Sequence, residues 1–185
     1  EFEGVGVHGA YAYLASGVRG FQVLDVGDPA APVPLSVVDT PRLTCEIAVQ
    51  NAIAFVADGD GGLRTYGLSD PAAPAFLDSV ATGGGCFLVE VAGNLAFLAN
   101  GSWGLQIADV SDPADLAIIG AFPTLYSVRD VAVSGVHAYL ADYNGGLCVL
   151  DVSDPASPVL VNRLVFGGDV MAGVAVVEDF VYAVD

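Results

Sequence analysis

Hydrophobic and polar residues alternate along this chain in short runs. The runs are rich in Val, Ile, Leu, Tyr and Phe, and Gly, Pro, Asp or Asn interrupts them every few residues. Alternation with a period of two is typical of β-strands, and no segment has the spacing of apolar residues that an amphipathic helix requires. The pattern therefore predicts an all-β fold.

A tandem repeat underlies this alternation. The dipeptide Asp-Pro begins at Asp28, Asp70, Asp112 and Asp154, so each copy starts 42 residues after the one before, as 70 follows 28. The apolar runs AYAYLAS, AIAFVAD, NLAFLAN and VHAYLAD keep this period, starting at residues 10, 52, 94 and 136. A fifth, partial copy, DFVYAVD at residues 179–185, follows after a one-residue insertion.

Four strands fit within each copy. In the second copy we predict strand a at residues 45–49, strand b at 53–57, strand c at 63–68 and strand d at 75–80. Four strands in about forty residues are the dimensions of a β-propeller blade. The prediction is one β-propeller domain over residues 1–185, built of four-stranded antiparallel blades. Four full blades would cover about residues 3–43, 44–85, 86–127 and 128–169, and a partial fifth would cover 170–185.

The residues that recur in every copy have structural roles. Asp-Pro is expected to form the turn between strands c and d, where Pro restricts φ and the Asp side chain bonds nearby amides. A glycine before strand c suits a positive φ or a close backbone approach, and it recurs at Gly20, Gly62, Gly104 and Gly146. Aromatic residues of strand b alternate with small alanines, which suits packing between neighbouring sheets.

The segment AYLADYNGGLCVLDVSDPASPV, residues 138–159, resembles the LVIVD-repeat family of bacterial and archaeal β-propellers. Four copies in phase extend the resemblance over essentially the whole chain. The resemblance implies a cell-surface or exported protein and does not define an activity. The second copy departs from the motif, with Thr65-Tyr66-Gly67-Leu68 in place of Val149-Leu150-Asp151-Val152.

The net charge of the chain restricts the classes of partner that it can bind. It has 22 acidic and 5 basic residues and a formal net charge of −17. Such a surface repels phosphate backbones and anionic lipid, so nucleic acid is not an expected partner. Membrane insertion is not expected either, because every apolar stretch is too short to cross a bilayer.

Two repeat positions are expected to converge on one face of the disc, where the loops before strand a and after strand b open together. The first holds Gly4, Glu46, Leu88, Asp130 and Gly173, and the second holds Ser16, Asp58, Asn100, Asp142 and Asp185. Calcium prefers six to eight oxygen ligands, whereas zinc usually takes His or Cys. We therefore predict a divalent cation site, for calcium rather than zinc, formed by Glu46, Asp58, Asn100, Asp130 and Asp142. The alternative is that these residues only cap strand ends and turns.

Two classes of function are compatible with these features. The first is a binding or assembly module without catalysis, since no G-x-S-x-G motif occurs and the serines before Asp-Pro lie in turns without a repeated His partner. The second is a metal-assisted hydrolase of esters, lactones or phosphotriesters, in which Glu46 or Asp130 would be the catalytic general base.

Other candidate residues lie in the loops. Arg129 would orient an anionic group at the channel mouth or form a solvent-facing ion pair, and Trp103 and Tyr143 would stack on sugar rings. A protein, glycan or small-molecule ligand at the channel face is therefore expected. Cys45 and Cys86 map near the mouth, as inert thiols or as a linked pair, whereas His8 and His137 map to the opposite face.

The fifth copy ends after strand b, so an arc of four and a half blades would leave apolar faces uncovered. We expect self-association with a second copy to complete the ring, unless the chain is a fragment of a longer protein.

Overall fold

The computed structural model describes residues 3–165 and 170–185, and this part of the chain contains only strands and turns. The strands, numbered in chain order, are β1 (Val5–His8), β2 (Tyr11–Ala15), β3 (Phe21–Asp25), β4 (Val33–Val38), β5 (Glu46–Gln50), β6 (Ile53–Ala57), β7 (Leu63–Gly67), β8 (Ala75–Val80), β9 (Leu88–Ala92), β10 (Leu95–Ala99), β11 (Leu105–Asp109), β12 (Ala117–Phe122), β13 (Asp130–Ser134), β14 (His137–Ala141), β15 (Leu147–Asp151), β16 (Val159–Leu164), β17 (Gly173–Val177) and β18 (Phe180–Val184). No helix capable of spanning a membrane occurs in these residues.

The strands form four four-stranded sheets and one two-stranded sheet. Each sheet pairs its strands in chain order, so that β1–β4, β5–β8, β9–β12 and β13–β16 are antiparallel blades and β17–β18 is a partial fifth. The predicted fold class is confirmed. The predicted second-copy strands match β5–β8 to within one residue at every end.

The Asp-Pro segments form the turns between the third and fourth strands, as predicted. In the first turn the Asp28 carboxylate accepts a hydrogen bond from the Ala30 amide at 3.0 Å, and its carbonyl accepts one from Ala31 at 3.0 Å. The turns at Asp70, Asp112 and Asp154 repeat both bonds. The turn is therefore held by its own Asp in every full blade.

The recurring glycines are required by the backbone. Gly20, Gly62, Gly104 and Gly146 have φ between 72° and 80°. A Cβ at each would also collide with a carbonyl oxygen of the fourth strand, such as that of Val38 opposite Gly20. Both the positive φ and the close approach predicted from the sequence are present.

The core lies between blades. One cluster joins Tyr13, Ala15, Phe21 and Val23 of the first blade to Ile47, Ala54, Val56, Tyr66 and Leu68 of the second. Equivalent clusters join the second blade to the third and the third to the fourth, and a smaller one joins the fourth to β17. In each interface between full blades an aromatic residue of the second strand packs against the next blade, which presents mainly small and branched residues and, in the second blade, Tyr66.

The Asp-Pro turns have a second role that the sequence does not reveal. The turns at Asp70, Asp112 and Asp154 dock on the fourth strand of the preceding blade at one repeat position, which is Ser36, Asp78 and Gly120 in the first three blades. Ser36 donates to the Ala72 carbonyl at 2.6 Å, and Asp78 accepts from the Leu116 amide at 2.8 Å. Gly120 lies directly against the Pro155 carbonyl, where a Cβ would collide with the backbone. These contacts join the outer strand of one blade to the Asp-Pro turn of the next.

We predict that Gly120→Ala lowers the free energy of unfolding by about 2–4 kcal/mol, because the neighbouring turn cannot move away from the added Cβ. In an unconstrained strand the same change is slightly favourable. Asn162→Ala at the equivalent exposed position, where no following turn docks in the described residues, is the control and should change stability by less than about 0.5 kcal/mol. Urea denaturation measures both. Equal effects at the two positions would contradict the docking role.

Candidate functional site

The innermost strands of the blades line a groove. Strands β5, β9, β13 and β17 surround a cavity of about 410 Å³, and its acidic lining residues are Glu46, Glu90 and Asp130. The remaining lining side chains are Ile, Leu, Val and Ala. Three successive blades therefore each contribute one carboxylate to an otherwise apolar groove.

Glu46 and Asp130 hold the ends of neighbouring innermost strands. Glu46 accepts the Ile47 amide at 2.9 Å, and its carboxylate fills the space that a side chain on Gly4 would occupy. Asp130 accepts the Val131 amide at 2.8 Å and the Val174 amide of β17 at 2.9 Å. Both residues line the groove, and their bonds to backbone amides give them a structural role as well.

Glu90 is a groove residue that the sequence analysis missed. It lies two residues after Leu88 in β9, on the same side of the strand, and lines the cavity with the other two acids. The other copies have small residues at this repeat position, namely Gly6, Ala48, Ala132 and Ala175. A single Glu at a strand position where the other copies have Gly or Ala is the sequence feature that indicates Glu90.

The electrostatics of the three acids have a common cause. Burial raises the pKa of Glu46, Glu90 and Asp130 above their ordinary values. The negative charge of Asp130 raises the pKa of Glu46 and Glu90 further, while hydrogen bonds from backbone amides partly oppose the shift at Glu46 and Asp130. No basic side chain forms an ion pair with these acids among the described residues. The groove therefore holds negative charge that a bound cation would stabilise.

The second predicted set of ligands lies elsewhere. Asp58, Asn100 and Asp142 are almost completely inaccessible to solvent and bond within their own blades or the adjoining loop. Asp142 pairs with Arg163 at 2.9 Å, and the Asn100 amide donates to Gln106 at 2.9 Å. Asp58 accepts the Arg42 amide at 3.2 Å and lies 3.9 Å from Arg64. These contacts hold strand ends and turns, and one buried oxygen of each side chain has no hydrogen-bond partner among the described residues.

The predicted metal site is not assembled in this structure. None of these buried residues lines the groove, and the described residues contain no group of three or more His, Cys, Asp or Glu placed to hold a metal ion. Asp58, Asn100 and Asp142 directly follow the second strands, and their side chains face Arg64, Gln106 and Arg163 of their own blades. Calcium binding stays a prediction without a preformed site.

The mouth of the groove is a second cavity, of about 550 Å³, lined by Glu46, Leu88 and Arg129 among others. The Arg129 guanidinium lies over the Tyr143 ring, 5.0 Å from its centroid, so this ring face is occupied. Trp103 is exposed and lies against Gly83 and Gly84. Trp103 and Tyr143 lie in neighbouring loops as expected, and glycan binding by them stays a prediction.

The cysteines offer no reactive group. Cys45, Cys86 and Cys148 are buried and free. Burial raises the pKa of the Cys45 and Cys148 thiols to about 11 and raises that of Cys86 as well, so all three are protonated at neutral pH. His8 is the last residue of β1 and His137 the first of β14, where His137 lies opposite Asp151 of β15.

Comparisons with known proteins concern the fold. The family model described as the LVIVD repeat matches residues 3–40, 41–82, 83–124 and 127–165. No curated protein matches the chain. Solved structures that superpose on it include the computationally designed Ika8 protein, with a TM-score of 0.80, 10% identity and coverage of 99% of this chain and 55% of its own.

Two further structures show the same likeness. A protein from Lactobacillus plantarum has a TM-score of 0.77 and 13% identity, covering 91% of this chain and 57% of its own. The computationally designed Ika4 protein has a TM-score of 0.69 and 8% identity, covering 82% of this chain and 91% of its own. This chain thus spans little more than half the length of the first two, and at these identities the likeness concerns the fold alone.

We predict that Glu90→Gln raises the melting temperature at pH 7 by about 1–3 °C. The folded-state pKa of Glu90 lies above its unfolded value, so the ionised side chain destabilises the fold at neutral pH. The destabilisation by ionised Glu90 decreases as the pH falls through the folded-state pKa, and it is absent below the usual pKa of 4.5. The rise in melting temperature caused by Glu90→Gln should therefore vanish below that pH.

Thermal melts from pH 4 to pH 7, with Asp115→Asn as the control, measure this effect. Asp115 is exposed and lies outside the groove, so its variant reports the general effect of removing one charge from an acidic protein. A rise in melting temperature for Glu90→Gln that is independent of pH, or no larger than that for Asp115→Asn, would contradict the raised pKa of Glu90.

Proposed function

The chain belongs to the LVIVD repeat family, and we propose that it is a non-catalytic β-propeller module whose groove binds a cationic ligand. The observation that carries the proposal is the set of three groove carboxylates, Glu46, Glu90 and Asp130, which have raised pKa values and no ion pair among the described residues. A ligand that brings positive charge would relieve their desolvation and their mutual repulsion.

An organic ammonium group fits this groove better than a bare metal ion. The three groove carboxylates have six oxygens, and three of these already accept backbone amides, so the groove offers fewer free oxygens than the six to eight that calcium prefers. An ammonium group needs only three acceptors, and these can come from different strands. Apolar side chains of Leu88, Val131 and Val174 would contact the carbon chain of such a ligand. The cavity of about 410 Å³ has the size of an ordinary small-molecule site.

The lining of the groove favours binding over catalysis. It contains no Ser, Thr, Cys, His or Lys, so only the carboxylates could act as nucleophile or base. The alternative of a metal-assisted hydrolase would need a ligand set that the described residues do not assemble. Binding without turnover is therefore the function that the site supports best.

The proposal includes a cell-surface or exported location. Its support is the resemblance of the repeats to the LVIVD family.

We expect spermidine to bind the groove with measurable affinity and Glu90→Gln to weaken that binding about tenfold, the equivalent of about 1.4 kcal/mol. Glu90 is the test position because it is the groove acid that makes no hydrogen bond to the described backbone, so its loss leaves the strands intact. Isothermal titration calorimetry at physiological ionic strength, where distant surface charges are screened, is the measurement.

Asp115→Asn removes the same charge from the surface and should bind spermidine as the unchanged protein does. Equal weakening in both variants would show non-specific attraction and would refute the groove as the site. Stoichiometric calcium binding that excludes spermidine would instead favour the metal site predicted from the sequence.

A further inference from the structure

The mouth cavity holds a basic residue beside the acidic groove. Its lining includes Arg129 together with Glu46 and Leu88, and the last two also line the groove, so the two cavities adjoin. Arg129 directly precedes Asp130, and its amide donates to the Ala141 carbonyl at 2.8 Å, so it continues β13 towards the mouth. One positively charged group therefore lies at the entrance to a negatively charged groove.

Arg129 is held by an aromatic ring and not by a carboxylate. Its guanidinium lies 5.0 Å from the centroid of the Tyr143 ring. Glu3 and Glu46 line the same cavity, yet Arg129 forms no ion pair within the part of the chain that the structure describes. A guanidinium on an aromatic face keeps the N–H donors at its edge, and their geometry matches a carboxylate. Arg129 can therefore bind an anionic group without giving up its contact with Tyr143.

Both members of this pair depart from the repeat. The other full copies have Glu3, Cys45 and Phe87 at the position of Arg129, and they have Gly17, Gly59 and Gly101 at the position of Tyr143. Those glycines have φ between 51° and 60°, and Tyr143 shares their left-handed backbone with a φ of 37°. A residue other than Gly in this region costs of order 1–3 kcal/mol. The fourth blade tolerates that strain where the ring contacts Arg129, which favours a role in binding over one in packing.

We propose that the groove and its mouth together bind a zwitterion, whose ammonium enters the groove and whose carboxylate is bound by Arg129, positioned by Tyr143. This inference rests on the cation-binding groove proposed above and defines the class of its ligand. A simple anion does not fit, because Glu3 and Glu46 line the mouth beside Arg129 and repel it. A ligand that carries both charges offsets this repulsion through its ammonium group.

The strand geometry sets the length of the ligand. Glu90 lies two residues after Leu88, which has the repeat position of Asp130, and Arg129 lies one residue before Asp130. At a rise of about 3.3 Å per residue, Glu90 is about 10 Å deeper along the strands than Arg129. An aliphatic chain across this distance would contact apolar lining residues such as Leu88 and Val131. The ligand class is therefore a linear amino acid with its ammonium and carboxylate at opposite ends.

The test is isothermal titration calorimetry with 8-aminooctanoate and with 8-aminooctan-1-ol, which has the same ammonium and chain but a hydroxyl in place of the carboxylate. The unchanged protein should bind 8-aminooctanoate about tenfold more tightly, as a hydrogen bond between charged groups predicts. Long-range attraction to a protein of net charge −17 favours the positively charged alcohol, so this preference reports a local contact. Octanoate, which lacks the ammonium, should not bind.

Three variants assign the preference to residues. Arg129→Gln should abolish it, so that both compounds bind equally. Arg19→Gln removes the same charge from an exposed arginine outside the lining of both cavities, and this control should keep the preference. Tyr143→Gly should reduce the preference about threefold, as the loss of an exposed cation–π contact predicts. It should not lower the melting temperature measured by circular dichroism, because Gly is unstrained at this φ.

The outcomes separate this proposal from the one on which it rests. Equal binding of the two compounds, a preference that survives Arg129→Gln, an equal loss in Arg19→Gln, or binding of octanoate would overturn the zwitterion site, while spermidine binding would still support the groove. Failure of both compounds to bind when spermidine binds has the same meaning. Failure of all three would overturn both proposals. A lowered melting temperature or an unchanged preference in Tyr143→Gly would overturn the positioning role of Tyr143.

Discussion

The two apolar faces of every blade are the constraint on which this structure depends. A β-sheet satisfies its backbone hydrogen bonds internally, but its side chains point to both sides, so both faces need cover. The chain supplies that cover by repeating one sheet every 42 residues and packing each copy on the next. Stability in such an array comes from contacts between nearest neighbours. The Asp-Pro turn contributes twice, because it joins two strands of one blade and also docks on the blade before it.

Positions that do not take part in this packing are free to differ between copies. The inward-facing positions of the innermost strands are of this kind, and several copies have Gly or Ala there. A Glu at one of them, Glu90, costs less than it would between two blades, since it reaches a groove and not a closed core. The candidate site therefore arises from differences between repeats, whereas the fold arises from what the repeats share.

The acidic residues separate into two groups according to their partners. Asp142 is buried and pairs with Arg163 at 2.9 Å, and Asp58 accepts the Arg42 amide and lies 3.9 Å from Arg64, although burial still raises the pKa of Asp58. Glu46, Glu90 and Asp130 have no such cation, and burial acts on their pKa values with less opposition. A compensated buried carboxylate holds a loop or strand in place. An uncompensated one in a groove is available to a ligand.

The sequence by itself determined the strands, the turns and the number of blades, because alternation, Asp-Pro and the recurring glycines act within a few residues of one another. It also places Glu46 and Asp130 near the start of a first strand, and each is the first residue of such a strand in the structure. It did not identify Glu90, and it grouped Asp58, Asn100 and Asp142 with the channel. Only the tertiary structure decided which acids share a cavity and which are paired, because the direction and the partners of a side chain depend on neighbouring strands and blades that lie far away in the sequence.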